Sequence, residues 1–184
     1  ENEQRHPNEL LSKLEDLSIK DPLTGVYNRR FLLKYLESGI SLNLQNNTPV
    51  SIIMFDLDHF KRLNDDYGHL VGDDVLRNLC TIFEQNCRNY DIVARYGGEE
   101  FMIVLPGAGE ETAYRRAEQI RKRVEKTNFC PAVSEPITIS GGVACFEKTM
   151  RTTEEFISVA DQYLYLAKEN GRNRVVWSKT RIDT

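Results

Sequence analysis

The 184-residue chain reads as a single α/β domain, a sandwich whose central sheet is mixed but largely antiparallel and is flanked by helices. Three observations predict this class. Short apolar, partly β-branched runs alternate with longer stretches in which apolar residues recur every three or four positions. Two of the short runs, residues 92–96 and 101–105, flank Gly97-Gly98 and so predict a hairpin with its tip near Gly98. A chain with 40% hydrophobic and 28% charged residues fills one substantial core and not two.

Leu10, Leu14 and Leu17 supply the seam of a short helix, which either docks on the domain or continues a coiled coil from an upstream partner. Asp21-Pro22-Leu23-Thr24-Gly25 breaks that pattern, and Asn28 is placed to cap a helix over 29–38 that Gly39 closes. Residues 43–48 read as a polar loop and 50–55 as a buried strand ending at Asp56. A short helix over about 58–66 follows. Gly68 and Gly72 then bracket a turn, and Asp73 caps a longer helix with Leu76, Leu79, Cys80, Phe83 and Cys87 on its core face. Beyond the hairpin come a charged amphipathic helix over 110–126, a strand over 137–146 weakened by Gly141-Gly142, and a helix over 153–169 stopped by Gly171. Residues 175–177 make a last short strand. The expected division is a helical linker over 1–20, one domain over 21–178 and a tail over 179–184.

The formal charge of −4 argues against a duplex nucleic-acid partner, although an acidic chain still binds phosphates through metal ions. The four cysteines form no CxxC pair and lack the spacing of a zinc site or disulfide framework, so they read as thiols in a reducing cytoplasm. No apolar run approaches the roughly 20 residues that cross a bilayer, and no signal peptide is visible.

Three features are too polar for their positions. Asp56-Leu57-Asp58 ends a buried strand, a rigid mount for a carboxylate that can hold a hard divalent cation. Asp56 is the better ligand of the two, and Asp58 is read as a cap for the following helix. In Gly97-Gly98-Glu99-Glu100-Phe101 the glycines clear the hairpin tip, and alternation leaves one of the two acids to face a metal. Lys168, Arg172 and Arg174 straddle the glycine ending the last helix, where they complement the helix dipole or neutralise a triphosphate. Two separated acids with nearby cations point to metal-assisted phosphoryl or nucleotidyl transfer. The chain has no GxxxxGK[ST] loop and no dinucleotide fingerprint.

Arg95-Tyr96-Gly97-Gly98-Glu99-Glu100-Phe101 resembles the signature of the GGDEF family of diguanylate cyclases, in its GGEEF form. The segments Asp21 to Gly25, Asn28-Arg29-Arg30, Phe55 to Lys61, Asn64-Asp65, Gly68-His69, Gly72-Asp73, Ala167-Lys168 and Gly171-Arg172-Asn173 stand in that family's order, so the likeness runs from Asp21 to Trp177. It implies a nucleotidyl-cyclase-like fold and condensation of two GTP into cyclic di-GMP and two pyrophosphates. By the same resemblance, Asp56, the Leu57 carbonyl and Glu99 hold two Mg²⁺ per half-site, with Mn²⁺ as an alternative. Asn64 and Asp73 read guanine with His69 nearby, Lys61 sits near the transferring phosphate, and Lys168 and Arg172 hold the terminal phosphates. Glu99 accepts the ribose 3′-hydroxyl proton and Glu100 supports the site.

The resemblance further implies a homodimer, since each domain binds one GTP, and control of dimer geometry by an upstream sensor. Arg88-Asn89-Tyr90-Asp91 has the family's RxxD form, with five residues between Asp91 and Gly97, and implies an inhibitory product site. Arginine suits it, gripping phosphate bidentately and stacking on guanine. The competing reading is a non-catalytic cyclic di-GMP receptor of the same fold, against which Asp56, Glu99 and Glu100 speak.

Overall fold

The computed structural model describes residues 19–131 and 133–180, so the leucine seam expected before residue 20 and most of the tail over 179–184 lie outside the described residues. Among the described residues six strands form one sheet: β1 (Tyr27–Asn28), β2 (Val50–Leu57), β3 (Ile92–Arg95), β4 (Glu100–Pro106), β5 (Ile139–Cys145) and β6 (Val175–Val176). Their order is β1-β3-β4-β2-β5-β6. The three inner pairings are antiparallel and the two outer ones parallel, the mixed sheet that the sequence predicts. Around it lie α1 (Arg29–Asn46), α2 (Phe60–Tyr67), α3 (His69–Gln85), α4 (Glu110–Lys126) and α5 (Thr153–Glu169).

Every residue of β2 is buried, because both faces of this central strand are covered. Alternation divides its side chains between two cores. Ile53, Phe55 and Leu57 join Leu76, Phe83, Phe101 and Ile120 beneath α3 and α4. Ile52 and Met54 join Leu32, Leu36, Phe156 and Leu164 beneath α1 and α5. In the first core Phe83 stacks on Phe55 at 5.4 Å and meets Phe101 edge-on at 5.5 Å, pairs worth about 0.5–1.5 kcal/mol each beyond their buried area.

Asn28 caps α1 as expected, its Oδ1 accepting from the Phe31 N–H at 2.9 Å. The helix does not stop at Gly39 but runs to Asn46, which shortens the expected 43–48 loop. Leu32, Leu36 and Ile40 form a buried stripe through Gly39, and that burial outweighs the roughly 1 kcal/mol a mid-helix glycine costs. The next long helix, α3, starts at His69 with Gly68 at its N-cap, so Gly72 lies inside it and Asp73, expected as its cap, falls in its second turn.

Gly142 shows why β5 carries glycine. A Cβ there would stand 2.0 Å from the Ala160 carbonyl oxygen and 2.4 Å from the Leu164 nitrogen. The α5 backbone therefore rests directly on the sheet at this point. One turn further along α5 comes Lys168, delivered to the end of β2.

Candidate active site

Asp56 sits at the carboxyl end of β2, opposite Glu100 of β4 and Ser140 of β5. It continues the Ile52–Met54 face, the α5 side, where Lys168 Nζ stands 2.9 Å from Asp56 Oδ2. The Asp56 side chain is 7% exposed and that of Lys168 is 32% exposed, so the pair lies at the mouth of the core. Burial pushes the Asp56 carboxyl above its ordinary value; Lys168 pulls it partly back, and Glu100 and Asp58 push it up again.

The N–H groups of Tyr96 and Gly97 both donate to the Glu100 carbonyl, at 2.8 and 3.1 Å, closing the hairpin at the expected tip. Glu99 lies in the turn, and its carbonyl accepts from the Leu57 N–H at 3.3 Å, stitching the tip to the end of β2. Glu99 precedes β4, which begins at Glu100, and it stands near enough to Asp56 to feel that charge, while Glu100, opposite Asp56, adds its own repulsion there. Burial and then the Asp56 charge raise the Glu99 carboxyl, against a smaller downward pull from Lys168. Three acids thus share a half-buried space with one lysine.

Sequence reading assigned no role to Arg95, yet it holds this tip from behind. Its Nε and Nη2 donate to the Gly98 carbonyl at 3.1 and 2.7 Å, and its Nη1 reaches Asp21 Oδ1 at 3.1 Å. Burial alone would raise the Asp21 carboxyl, but hydrogen bonds from Thr24 and the Arg95 charge leave it lowered. Both residues lie within the motif segments, so the pattern marked them without showing that they meet.

Among the described residues no group of three or more His, Cys, Asp or Glu side chains could hold a metal ion alone. Mg²⁺ does not require one, since it takes one or two carboxylates and completes its octahedron with substrate phosphate and water. Asp56 and Glu99, both raised chiefly by burial, with the Asp56 charge adding to the rise at Glu99, and joined by the backbone at Leu57, are a hard oxygen set whose crowding a divalent cation would relieve. The residues fit the ion.

The other expected residues fall into three groups. Asn64 of α2 and Gly72 of α3 meet where the two helices cross: a Cβ at Gly72 would stand 1.9 Å from Asn64 Oδ1. That oxygen is buried and, among the described residues, has no hydrogen-bond partner, an acceptor waiting for a donor. Asp73 is the next residue of α3, half-buried, while His69 at the start of α3 and Lys61 in the first turn of α2 are exposed.

Arg172 is exposed in a loop whose φ angles are all positive, 103° at Gly171, 60° at Arg172 and 46° at Asn173. Asp58 does not cap α2, as the sequence suggested. His59 holds the N-cap position in a left-handed conformation with no side-chain cap, and the Asp58 carboxylate accepts from Thr138 Oγ1, Ser140 Oγ and the Asn173 N–H.

Arg88 and Asp91 lie away from these residues, beside a pocket of about 270 Å³ that Lys20, Tyr27 and Cys87 also line. The Asp91 side chain is 3% exposed, accepts from the Arg88 N–H at 2.7 Å and lies 3.8 Å from Arg116. Asp91 therefore shapes the turn, and the exposed Arg88 guanidinium, donating to the Tyr90 hydroxyl at 2.5 Å, is the group offered to solvent.

Residues 18–174 match the family model described as diguanylate cyclase, GGDEF domain. The chain belongs to the GGDEF domain family. It is 44% identical over 156 residues to the diguanylate cyclase DosC of Escherichia coli K12, a match covering 84% of this chain and 34% of DosC. The chain thus spans about a third of the length of that relative. The coiled coil and GGDEF domain of DgcB from Caulobacter crescentus, solved in complex with c-di-GMP, superposes with a TM-score of 0.88 at 27% identity, covering 96% of this chain and 94% of that one. The active GGEEF domain of a diguanylate cyclase from Vibrio cholerae gives a TM-score of 0.79 at 36% identity, covering 84% and 98% of the two chains.

Proposed function

We propose that this chain is a diguanylate cyclase domain condensing two GTP molecules into cyclic di-GMP with release of two pyrophosphates, at the interface of a homodimer. The observation that carries the reading is the meeting of Asp56, Glu99 and Lys168 at the end of β2, joined through the backbone of Leu57. Asp56, Glu99 and the Leu57 carbonyl would hold Mg²⁺, two ions per half-site. Bound there, the metal supplies Lewis acidity toward the α-phosphate and the ribose 3′-hydroxyl.

Glu99 accepts the 3′-hydroxyl proton, a task for which its raised carboxyl is better matched to neutral pH than an ordinary glutamate. The freed oxygen attacks the α-phosphorus of the second GTP, and the bond to the β-phosphate oxygen breaks. Lys168 and Arg172 hold the terminal phosphates and neutralise the departing pyrophosphate, with Lys61 beside the transferring phosphate and Glu100 behind Glu99. The same step in the other direction closes the ring. Asn64 Oδ1, left unpaired in the buried crossing, takes a donor of the guanine edge together with Asp73, with His69 beside them.

Product binding at Arg88, over the turn shaped by Asp91, supplies feedback. Residues 1–20 connect to an upstream sensor, a reading supported by the 4,3 spacing of Leu10, Leu14 and Leu17.

GTP turnover with Mg²⁺ and product identification, run across protein concentration, tests the proposal. Cyclic di-GMP should form with a rate rising faster than linearly, and Glu99→Gln should abolish it while unfolding at the same temperature. An active Glu99→Gln enzyme, or no cyclic dinucleotide at any concentration, would overturn it.

A further inference from the structure

The loop that carries Arg172 follows α5 directly and is pinned at both ends of its backbone. The Arg172 N–H donates to the Ala167 carbonyl at 3.0 Å and the Gly171 N–H to the Lys168 carbonyl at 3.3 Å, so loop and lysine move as one body. Arg172 and Asn173 both adopt the left-handed conformation, which asparagine tolerates and arginine rarely does. Asn173 is held from two sides. From α4, the nearly buried Arg121 donates to Asn173 Oδ1 at 2.8 Å, and Glu125 accepts from Asn173 Nδ2 at 2.7 Å. From the end of β2, Asp58 Oδ2 accepts the Asn173 N–H at 3.1 Å.

Asp58 is 8% exposed, and a carboxylate so placed is costly unless donors take up its oxygens. It is satisfied by three donors from two separate segments: Thr138 Oγ1 and Ser140 Oγ at 2.7 Å each, and the Asn173 N–H. Its own N–H donates to the Thr138 carbonyl at 2.9 Å. Two residues earlier, still within β2, lies Asp56, paired with Lys168. Asp58 thus ties the loop of the two cations to the strand that ends in the metal-binding acids.

We infer that Asp58 is a positioning residue for triphosphate recognition: through the Asn173 N–H it fixes the strained loop that aims Arg172 and Lys168 at the terminal phosphates. This rests on the GTP-binding reading above, and it assigns to Asp58 no contact with nucleotide or metal. The energetics are separable by donor type. Hydroxyls of Thr138 and Ser140 can rotate to find or become other partners, whereas the Asn173 N–H is fixed and can only donate. Loss of the Asp58 acceptor therefore falls on the loop.

The test compares the α,β-methylene analogue of GTP, which cannot transfer, with GMP, which lacks the terminal phosphates, by calorimetric titration with Mg²⁺. Asp58→Ala should weaken the analogue about tenfold, as for loss of one charge-assisted hydrogen bond, and leave GMP within about twofold. Asp58→Asn should restore most of the loss, since its amide can turn toward the rotatable Ser140 hydroxyl and leave its carbonyl for Asn173. Asn173→Gly tolerates positive φ but loses the side chain held by Arg121 and Glu125; it should act like Asp58→Ala, and it carries the test if that variant does not unfold cooperatively. In an Arg172→Ala background Asp58→Ala should cost less than it does alone, the remainder falling on Lys168.

Equal weakening of analogue and GMP, an Asn variant as weak as the Ala variant, or full additivity with Arg172→Ala would each overturn the inference while leaving the site reading in place. A wild-type chain that binds neither ligand would instead remove the site reading, and the inference with it.

Discussion

Gly72→Ala sets two physical effects against each other with opposite signs. In a helix interior, alanine is favoured over glycine by about 1 kcal/mol, so the substitution by itself should stabilise α3. The new Cβ would, however, stand 1.9 Å from Asn64 Oδ1, 3.0 Å from its Cγ and 3.3 Å from Phe60 Cε2. Ordinary contact begins near 3.4 Å, so the amide must retreat by roughly 1.5 Å while the ring need give only a few tenths. The retreat takes the acceptor away from guanine, and an unmade hydrogen bond at a buried edge costs about 1–3 kcal/mol, or about 5- to 150-fold in affinity. GTP affinity should fall by that factor and preference over ATP should narrow, with the unfolding free energy changed by less than about 1 kcal/mol. In an Asn64→Ala background the clash is gone, so Gly72→Ala should then stabilise the fold and cost no further affinity. Unchanged GTP affinity in the folded single variant would refute the claim that Gly72 exists to admit the Asn64 amide.

Two further outcomes are expected. Arg88→Ala should relieve inhibition by cyclic di-GMP without lowering the initial rate; unchanged inhibition removes the product site from this turn. Lys168→Met leaves the 7%-exposed Asp56 without its partner and should lower stability by about 1–3 kcal/mol at pH 8, less than for a fully buried pair because the lysine is one-third exposed. An acid whose folded pKa is raised binds more protons in the native state, so its ionisation removes stability as pH rises through that value. The deficit of Lys168→Met should therefore shrink as pH falls and Asp56 protonates, and added Mg²⁺ should recover part of it at pH 8; urea unfolding showing a pH-independent deficit would refute the pairing.

Much of the fold was legible because its signals are local. The helices at Glu110–Lys126 and Thr153–Glu169 fall where periodicity and charge placed them, and Gly97-Gly98 closes a hairpin between two apolar runs. Glycine misled where its reason lay in a distant neighbour. Gly39 and Gly72 were read as breaks, yet both are inside helices, and Gly72 is small because Asn64 crosses it. Local chemistry cannot separate a glycine that turns the chain from one that lets another side chain in. Asp58 was misread in the same way: an acid ahead of a helix looks like a cap, and its three donors come from residues far along the chain.

The site itself shows why residue type was legible before arrangement. Acids at a strand end and a hairpin tip could be recognised singly, but their charge state depends on how closely they stand. Asp56 and Glu99 both carry raised carboxyls, and Lys168, 2.9 Å from Asp56, pulls both of them back down. A lysine on the last turn of α5 reaches that point only because Gly142 lets the helix sit on the bare backbone of β5. The electrostatics of the acids are thus set by a glycine with no charge at all. Enlarging it would push α5 outward and leave two desolvated carboxylates facing each other with their cation displaced.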